Sequence, residues 1–132
     1  MNTSANATFT TASWDEKPYI EVDEGQKLTR THATFTYEGA LEGEGTVEYL
    51  MAYCPNGLGN FVGLERIEGK LGGRQGSFVV QHTGTFDPKS VTTCWEIVPG
   101  SGTGELKGLS GRSTFVLEGH GPYPVMIDYS IG

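Results

Sequence analysis

From Gly45 to Ile97 the chain alternates short runs rich in Val, Ile, Phe, Tyr and Thr with compact turn signals. The runs read GTVEYLMAYC, FVGLERIEG, SFVVQHTGTF and VTTCWEIV, separated by PNGLGN, KLGGRQG and DPKS. Runs of this length and composition, closed by tight turns, predict consecutive antiparallel hairpins. Asn56-Gly57 and Gly72-Gly73 suit turns that need positive φ, and Asp87-Pro88-Lys89-Ser90 suits a type I turn. Upstream, Ala5 to Trp14 predicts the first strand and Leu28 to Leu41 the second, turned at Gly43-Glu44 into the third. Asp15 to Lys27, with five acidic residues, one proline and one glycine, reads as a long surface loop. It would be a solvated connector or a lid over one barrel end. Downstream, Arg112 to Glu118 and Tyr123 to Ile131 predict the last two strands. No stretch holds the helical period, so almost no helix is expected. The prediction is all-β: one domain over residues 1–132, an eight-stranded antiparallel up-and-down barrel whose closure removes exposed sheet edges. A barrel of that size is filled by side chains or holds one small ligand.

The turns also set register. The shortest turn at Asn56-Gly57 places Pro55 opposite Leu58, Leu50 opposite Gly63 and Glu48 opposite Glu65. Gly72-Gly73 places Gly63 opposite His82, and the Asp87–Ser90 turn places His82 opposite Trp95. A turn at Gly43-Glu44 sets Tyr37 against Leu50. Opposed residues share a face, so Ala33, Phe35, Tyr37, Glu48, Leu50, Ala52, Cys54, Phe61, Glu65, Phe78, Val80, His82, Thr93, Trp95 and Ile97 fall together. This mostly apolar set is assigned to the lumen. The outer face then holds Val47, Tyr49, Met51, Tyr53, Val62 and Leu64, enough apolar surface to suggest a homodimer or homotrimer.

Buried side by side, Glu48 and Glu65 could not both ionise cheaply, and His82 diagonal to Glu65 could share the charge. Such a cluster suits general acid–base chemistry on a small ligand. A hydrogen-bonded network that fixes register, with Glu65 bonded to His82 or a tyrosine hydroxyl, and carboxylates exposed to water are the competing readings. Sequence motifs for a nucleophile elbow, a phosphate loop or a zinc protease are absent. Gly100–Gly104 lacks the following helix of a phosphate cradle and reads as a crossover at the barrel rim.

Composition narrows the partners. Twenty glycines in 132 residues, spread between β-rich runs, suit turns and bulges, and the hydrophobic fraction is an ordinary 36%. A net charge of −7, from 16 acidic and 9 basic residues, disfavours nucleic acid and anionic membranes. The N-terminal MNTSANATFTT lacks the basic and apolar regions of a signal peptide, and no apolar run reaches membrane-spanning length. A cytoplasmic protein is expected, with Cys54 and Cys94 as reduced, packed thiols and no metal or cofactor.

The segments GEGTVEYLMAY, FVGLERIEGKLGGRQGSFVVQHTGTF and CWEIVPGSGTGELKGLSG resemble a bacterial family of small uncharacterised proteins. SWDEKPY near the start and DYSI near the end fit the same family, so the likeness spans nearly the whole chain. Its members are similar to the allene oxide cyclase-type barrel, and Gly102-Thr103-Gly104-Glu105-Leu106 through Gly111 resembles the GTGxxxxxxG stretch of allene oxide cyclases and dirigent proteins. The resemblance implies an eight-stranded antiparallel barrel with a hydrophobic cavity. In characterised branches it implies cofactor-free cyclisation or guided coupling of a reactive apolar intermediate.

The expected activity is therefore cofactor-independent isomerase, cyclase or lyase-like chemistry on a small apolar molecule. Glu65 and Glu48 would be the acid–base pair and His82 their partner. Tyr37, Phe35, Leu50, Phe61, Phe78, Val80, Trp95 and Ile97 would line the ligand cavity. A non-catalytic carrier using the same lumen, or a structural oligomer with a filled lumen, are the alternatives.

Overall fold

Alternation at period two marks most of the strands of the computed structural model, which describes residues 3–22 and 24–132, and in β1 it stops at Phe9. Inward positions such as Ala33, Phe35 and Tyr37 are buried, while intervening positions carry the polar and charged side chains. The strands are β1 (Thr3–Glu21), β2 (Lys27–Gly39), β3 (Leu41–Tyr53), β4 (Gly59–Leu71), β5 (Arg74–Phe86), β6 (Ser90–Ile97), β7 (Leu109–Glu118) and β8 (Tyr123–Ile131). Each pairs antiparallel with the next, and β8 returns to β1, closing the barrel. The only helical segments are the single 3-10 turns Pro55–Gly57 and Gly104–Leu106 among the described residues.

Two hairpins follow the predicted register. Leu71 opposes Arg74 and Gly63 opposes His82, while Phe86 opposes Val91 and His82 opposes Trp95. The Asp87 carboxylate secures the second turn, accepting from the backbone N–H groups of Lys89 at 2.7 Å and Ser90 at 2.8 Å.

The other two differ from expectation. Glu48 opposes Leu64, and it is Val47 that opposes Glu65. The closing bond of this hairpin runs from Cys54 N–H to the Leu58 carbonyl at 2.7 Å. Pro55 has no N–H to offer in that position, so it joins Asn56 and Gly57 in the loop and shifts the register by one. On the other side of β3 the turn lies at Gly39-Ala40, earlier than Gly43-Glu44, and Tyr37 opposes Gly43. Both displacements are odd. Together they invert β3 alone: Val47, Tyr49 and Met51 face the lumen, while Glu48, Leu50 and Ala52 face out. The outer apolar row is accordingly Leu50, Val62 and Leu64, not one that includes Tyr49 and Met51.

The stretch Asp15–Lys27 is not a long loop. β1 runs on to Glu21 against β2, with bulges between Thr11 and Ser13 and between Pro18 and Ile20. Its connection to β2 spans only residues 22–26, of which Asp23, like Met1 and Asn2, lies outside the described residues. β8 accompanies β1 only as far as Phe9, so Pro18 sits on a strand with one unpaired edge, where a missing N–H is tolerated. Cys54 and Cys94 are both free and exposed, so they are not the packed thiols expected.

The two barrel ends differ. At the base, the segment 98–108 crosses the opening as the glycine-rich stretch predicted. Ser101 Oγ accepts from Val79 N–H at 3.0 Å, Thr103 N–H donates to the Ser77 carbonyl at 2.8 Å, and Leu106 is inserted with no exposed surface. Leu41, Leu71, Ile97, Leu109 and Ile127 fill the space around it. Burying such a side chain stabilises by roughly 1.5–3 kcal/mol, so the base is a solid core. The opposite end is rimmed by the connections 22–26, 54–58, 87–89 and 119–122. The lumen is open there.

Candidate functional site

Midway along the barrel, three polar side chains meet in an apolar interior. Glu65 on β4 accepts from Tyr37 OH at 2.6 Å through Oε2, and its Oε1 lies 2.7 Å from His82 Nε2. Their relative exposures are 0% for Glu65, 1% for Tyr37 and 2% for His82. Strand geometry makes this possible. His82 stands opposite Gly63, two residues from Glu65 on the same face, and a glycine there leaves the imidazole a path to the carboxylate. The ring of Tyr49, opposite Gly63 on β3, covers the same space: a Cβ at Gly63 would stand 2.6 Å from Tyr49 Cδ1. Tyr49 and Trp95 then enclose the imidazole edge to face, each with ring centroids 5.3 Å away.

Burial, followed by the charge of the Glu65 carboxylate, pushes the Tyr37 hydroxyl well above its ordinary value of 10. The same two causes act on Tyr49. Both tyrosines stay protonated at neutral pH, and Tyr37 is a fixed donor to Glu65.

Above this network, toward the open end, lies a cavity of about 500 Å³. Its deep wall is largely aromatic, from Phe9, Phe35, Tyr49, Phe61, Trp95 and Phe115, and His82 lines it too. Trp14, Tyr53, Phe86, Tyr123 and the turn Asp87–Ser90 form the mouth. Glu65 and Tyr37 do not reach the cavity surface; they back His82 from below.

Several predicted site residues lie elsewhere. Glu48 is on the outer wall with its side chain half exposed, bonded to His32 Nδ1 and 3.7 Å from Arg30 Nε. The predicted carboxylate pair is therefore not formed, because the register shift at Pro55 turns Glu48 outward. Leu50 is likewise exposed, and Cys54 lies in a loop. Phe78, Val80 and Ile97 are buried as expected but belong to the packed interior, not the cavity wall. Of the expected lining, Phe35, Phe61 and Trp95 do border the cavity. Among the described residues, no three His, Cys, Asp or Glu side chains converge to hold a metal.

The mouth holds a group that the loop assignment hid. Glu16 on β1 accepts from Thr29 Oγ1 at 2.8 Å, from Trp14 Nε1 at 3.1 Å and from the Tyr53 hydroxyl. The Lys27 ammonium sits 4.6 Å above the Tyr53 ring. These contacts tie the β1 extension to the rim.

The chain is 31% identical to a solved protein with unknown function from the DUF3224 family of Shewanella oneidensis MR-1. That likeness covers 100% of this chain and 99% of the other, at a TM-score of 0.82. No curated protein matches the chain. Residues 5–129 match the family described as "Protein of unknown function (DUF3224)". With nearly the whole barrel inside those bounds, from within β1 to within β8, the chain belongs to the DUF3224 family.

Proposed function

We propose that the barrel binds a small, largely apolar molecule in its aromatic cavity and moves a proton on it without a cofactor, with His82 as acid–base. The observation that carries this reading is the position of His82. It borders the cavity on one side and is held by a buried carboxylate on the other. A carboxylate behind an imidazole fixes the ring's orientation and stabilises its charged form as it takes a proton. With Nε2 engaged by Glu65, Nδ1 is the nitrogen that a ligand meets. A single base can remove a proton from one carbon and return it at another, which leaves composition and oxidation state unchanged. Glu65 is then a positioning residue, held in turn by Tyr37.

The likeness to allene oxide cyclase-type barrels supports cofactor-free chemistry in a water-poor lumen, as fold analogy. A carrier without turnover is the second reading. It is favoured by the commitment of both Glu65 oxygens, which leaves His82 as the one base bordering the deep cavity. The outer row Leu50, Val62 and Leu64 supports self-association as a dimer or trimer, to be read from the sedimentation mass.

The test is exchange of C–H protons in heavy water, across a panel of small apolar compounds with weakly acidic C–H bonds. Exchange by the native protein should disappear in His82→Gln. In Glu65→Gln it should slow sharply while binding stays within a few-fold. Binding with no exchange in any variant would reduce the function to carriage. Loss of folding in Glu65→Gln would favour a network that serves only to hold the barrel together.

A further inference from the structure

Two polar atoms in residues of the cavity wall have no partner. Thr93 Oγ1 and Trp95 Nε1 are buried without a hydrogen bond, and both residues line the cavity. β6 presents them two positions apart on the lumen face, Thr93 opposite Gly84 and Trp95 opposite His82. An indole N–H can only donate, and a threonine hydroxyl can donate as well. The indole's aromatic neighbours are Tyr37, His82 and Phe115, at centroid separations of 6.0, 5.3 and 5.3 Å. A buried donor left unpaired loses its hydration with nothing in return, and folded proteins rarely keep one that has no other use.

From these two orphaned donors we infer that the ligand carries a carbonyl oxygen, held by Trp95 Nε1–H and Thr93 Oγ1–H, on an otherwise apolar body. This rests on the reading of the cavity as a ligand site. A carbonyl oxygen has two lone pairs and can accept from both donors at once. An alcohol would bring its own O–H into an aromatic wall and leave that donor to be satisfied. A carboxylate would add a second negative charge beside the one on Glu65, whose field already reaches Tyr37 and Tyr49. A neutral carbonyl meets neither penalty. It also acidifies the C–H bonds next to it, and His82 stands across the strand pair from Trp95.

Neither orphaned atom touches solvent, so seating a carbonyl on them requires the neighbouring rings to shift. That shift gives the experiment its signal. The probes are 2-acetylnaphthalene and 2-isopropenylnaphthalene, which differ only in C=O against C=CH₂. Binding is followed through the two tryptophan indole N–H resonances. Trp14, at the cavity mouth and already bonded to Glu16 at 3.1 Å, reports separately on contact with the rim. The carbonyl probe should bind roughly tenfold tighter, the equivalent of one well-made hydrogen bond, and move the Trp95 resonance downfield. Trp95→Phe and Thr93→Val should each bring the two probes toward parity. Thr93→Val keeps the side-chain shape and removes an unpaired hydroxyl, so a folded variant is expected. Equal affinity of the two probes in the native protein would overturn the carbonyl inference and leave the cavity reading standing. Failure of both probes to bind would overturn both.

Discussion

The Glu65 carboxylate occupies the space that a side chain at Gly45 would fill. A Cβ built on Gly45 would lie 1.9 Å from Glu65 Oε2 and 3.1 Å from Tyr37 Cε2. Gly45 opposes Ile67 on β4, one inward step from Glu65, so the carboxylate leans over a bare backbone to reach Tyr37. The absence of a side chain at position 45 is part of how the buried acid is held.

Gly45→Ala should therefore cost about 1–3 kcal/mol, the range for forcing extra volume into a packed interior. The cost should fall when Glu65 is already Ala, because the clash is with that carboxylate. Urea unfolding of the two single variants and the double variant gives the coupling. Strict additivity would mean that Gly45 is constrained by something other than Glu65.

The tyrosines predict an alkaline limb. Tyr37 and Tyr49 have hydroxyls raised well above 10, and burial with the Glu16 hydrogen bond raises Tyr53 too. A folded value above the unfolded one means that the unfolded state loses the proton first as pH rises. The stability these groups contribute is complete below pH 10 and is lost progressively above it. Ultraviolet difference titration should show Tyr37, Tyr49 and Tyr53 ionising late, together with unfolding. Early ionisation of all six tyrosines in a still-folded protein would contradict the buried network.

The two glutamates that the sequence paired should part company on mutation. Glu48→Gln leaves the cavity untouched and breaks only half-exposed contacts to Arg30 and His32. Its stability should change by no more than about 1 kcal/mol, and ligand binding should not change. Glu65→Gln gives the buried site an amide whose N–H₂ faces a donor, and should cost about 2–3 kcal/mol. Thermal melts of the pair suffice. Similar losses in both would mean that Glu48 has a role its place on the wall does not explain.

The same pair marks how far the sequence could be read. Alternation and turn residues carried the barrel, the strand count and, among the strands from β2 to β6 that were given a face, the inward face of every one but β3. Two odd errors in register, one on each side of β3, inverted that strand while cancelling for its neighbours. Proline at 55 was the available signal: without an N–H it could not close the ladder opposite Leu58. Glu65, His82 and Tyr37 were legible because their strands kept the predicted faces. Trp14, Glu16 and Tyr53 were not. An acidic stretch containing Pro18 has loop composition, and only pairing along β2 makes it a strand. Tyr49 and Met51 line the cavity from the strand whose face was inverted.

Glu16 ties that extension to the mouth and should make it acid-sensitive. Burial alone would raise its carboxyl. Hydrogen bonds from Tyr53, Thr29 and Trp14, with the Lys27 charge, outweigh burial and hold it below its ordinary 4.5. For a depressed carboxylate the unfolded state takes up the proton first as pH falls. The contribution is present above pH 4.5 and is lost below it, as pH falls through the folded value. Glu16→Gln removes the titrating group but keeps an acceptor. It should lower the melting temperature at neutral pH, and the gap from the native protein should close in acid below pH 4.5. Trp14 emission should move toward that of an exposed indole over the same range in the native protein, because its Nε1–H loses the carboxylate. A gap that stayed constant from neutral pH into acid would mean that Glu16 packs against the rim without holding it by charge.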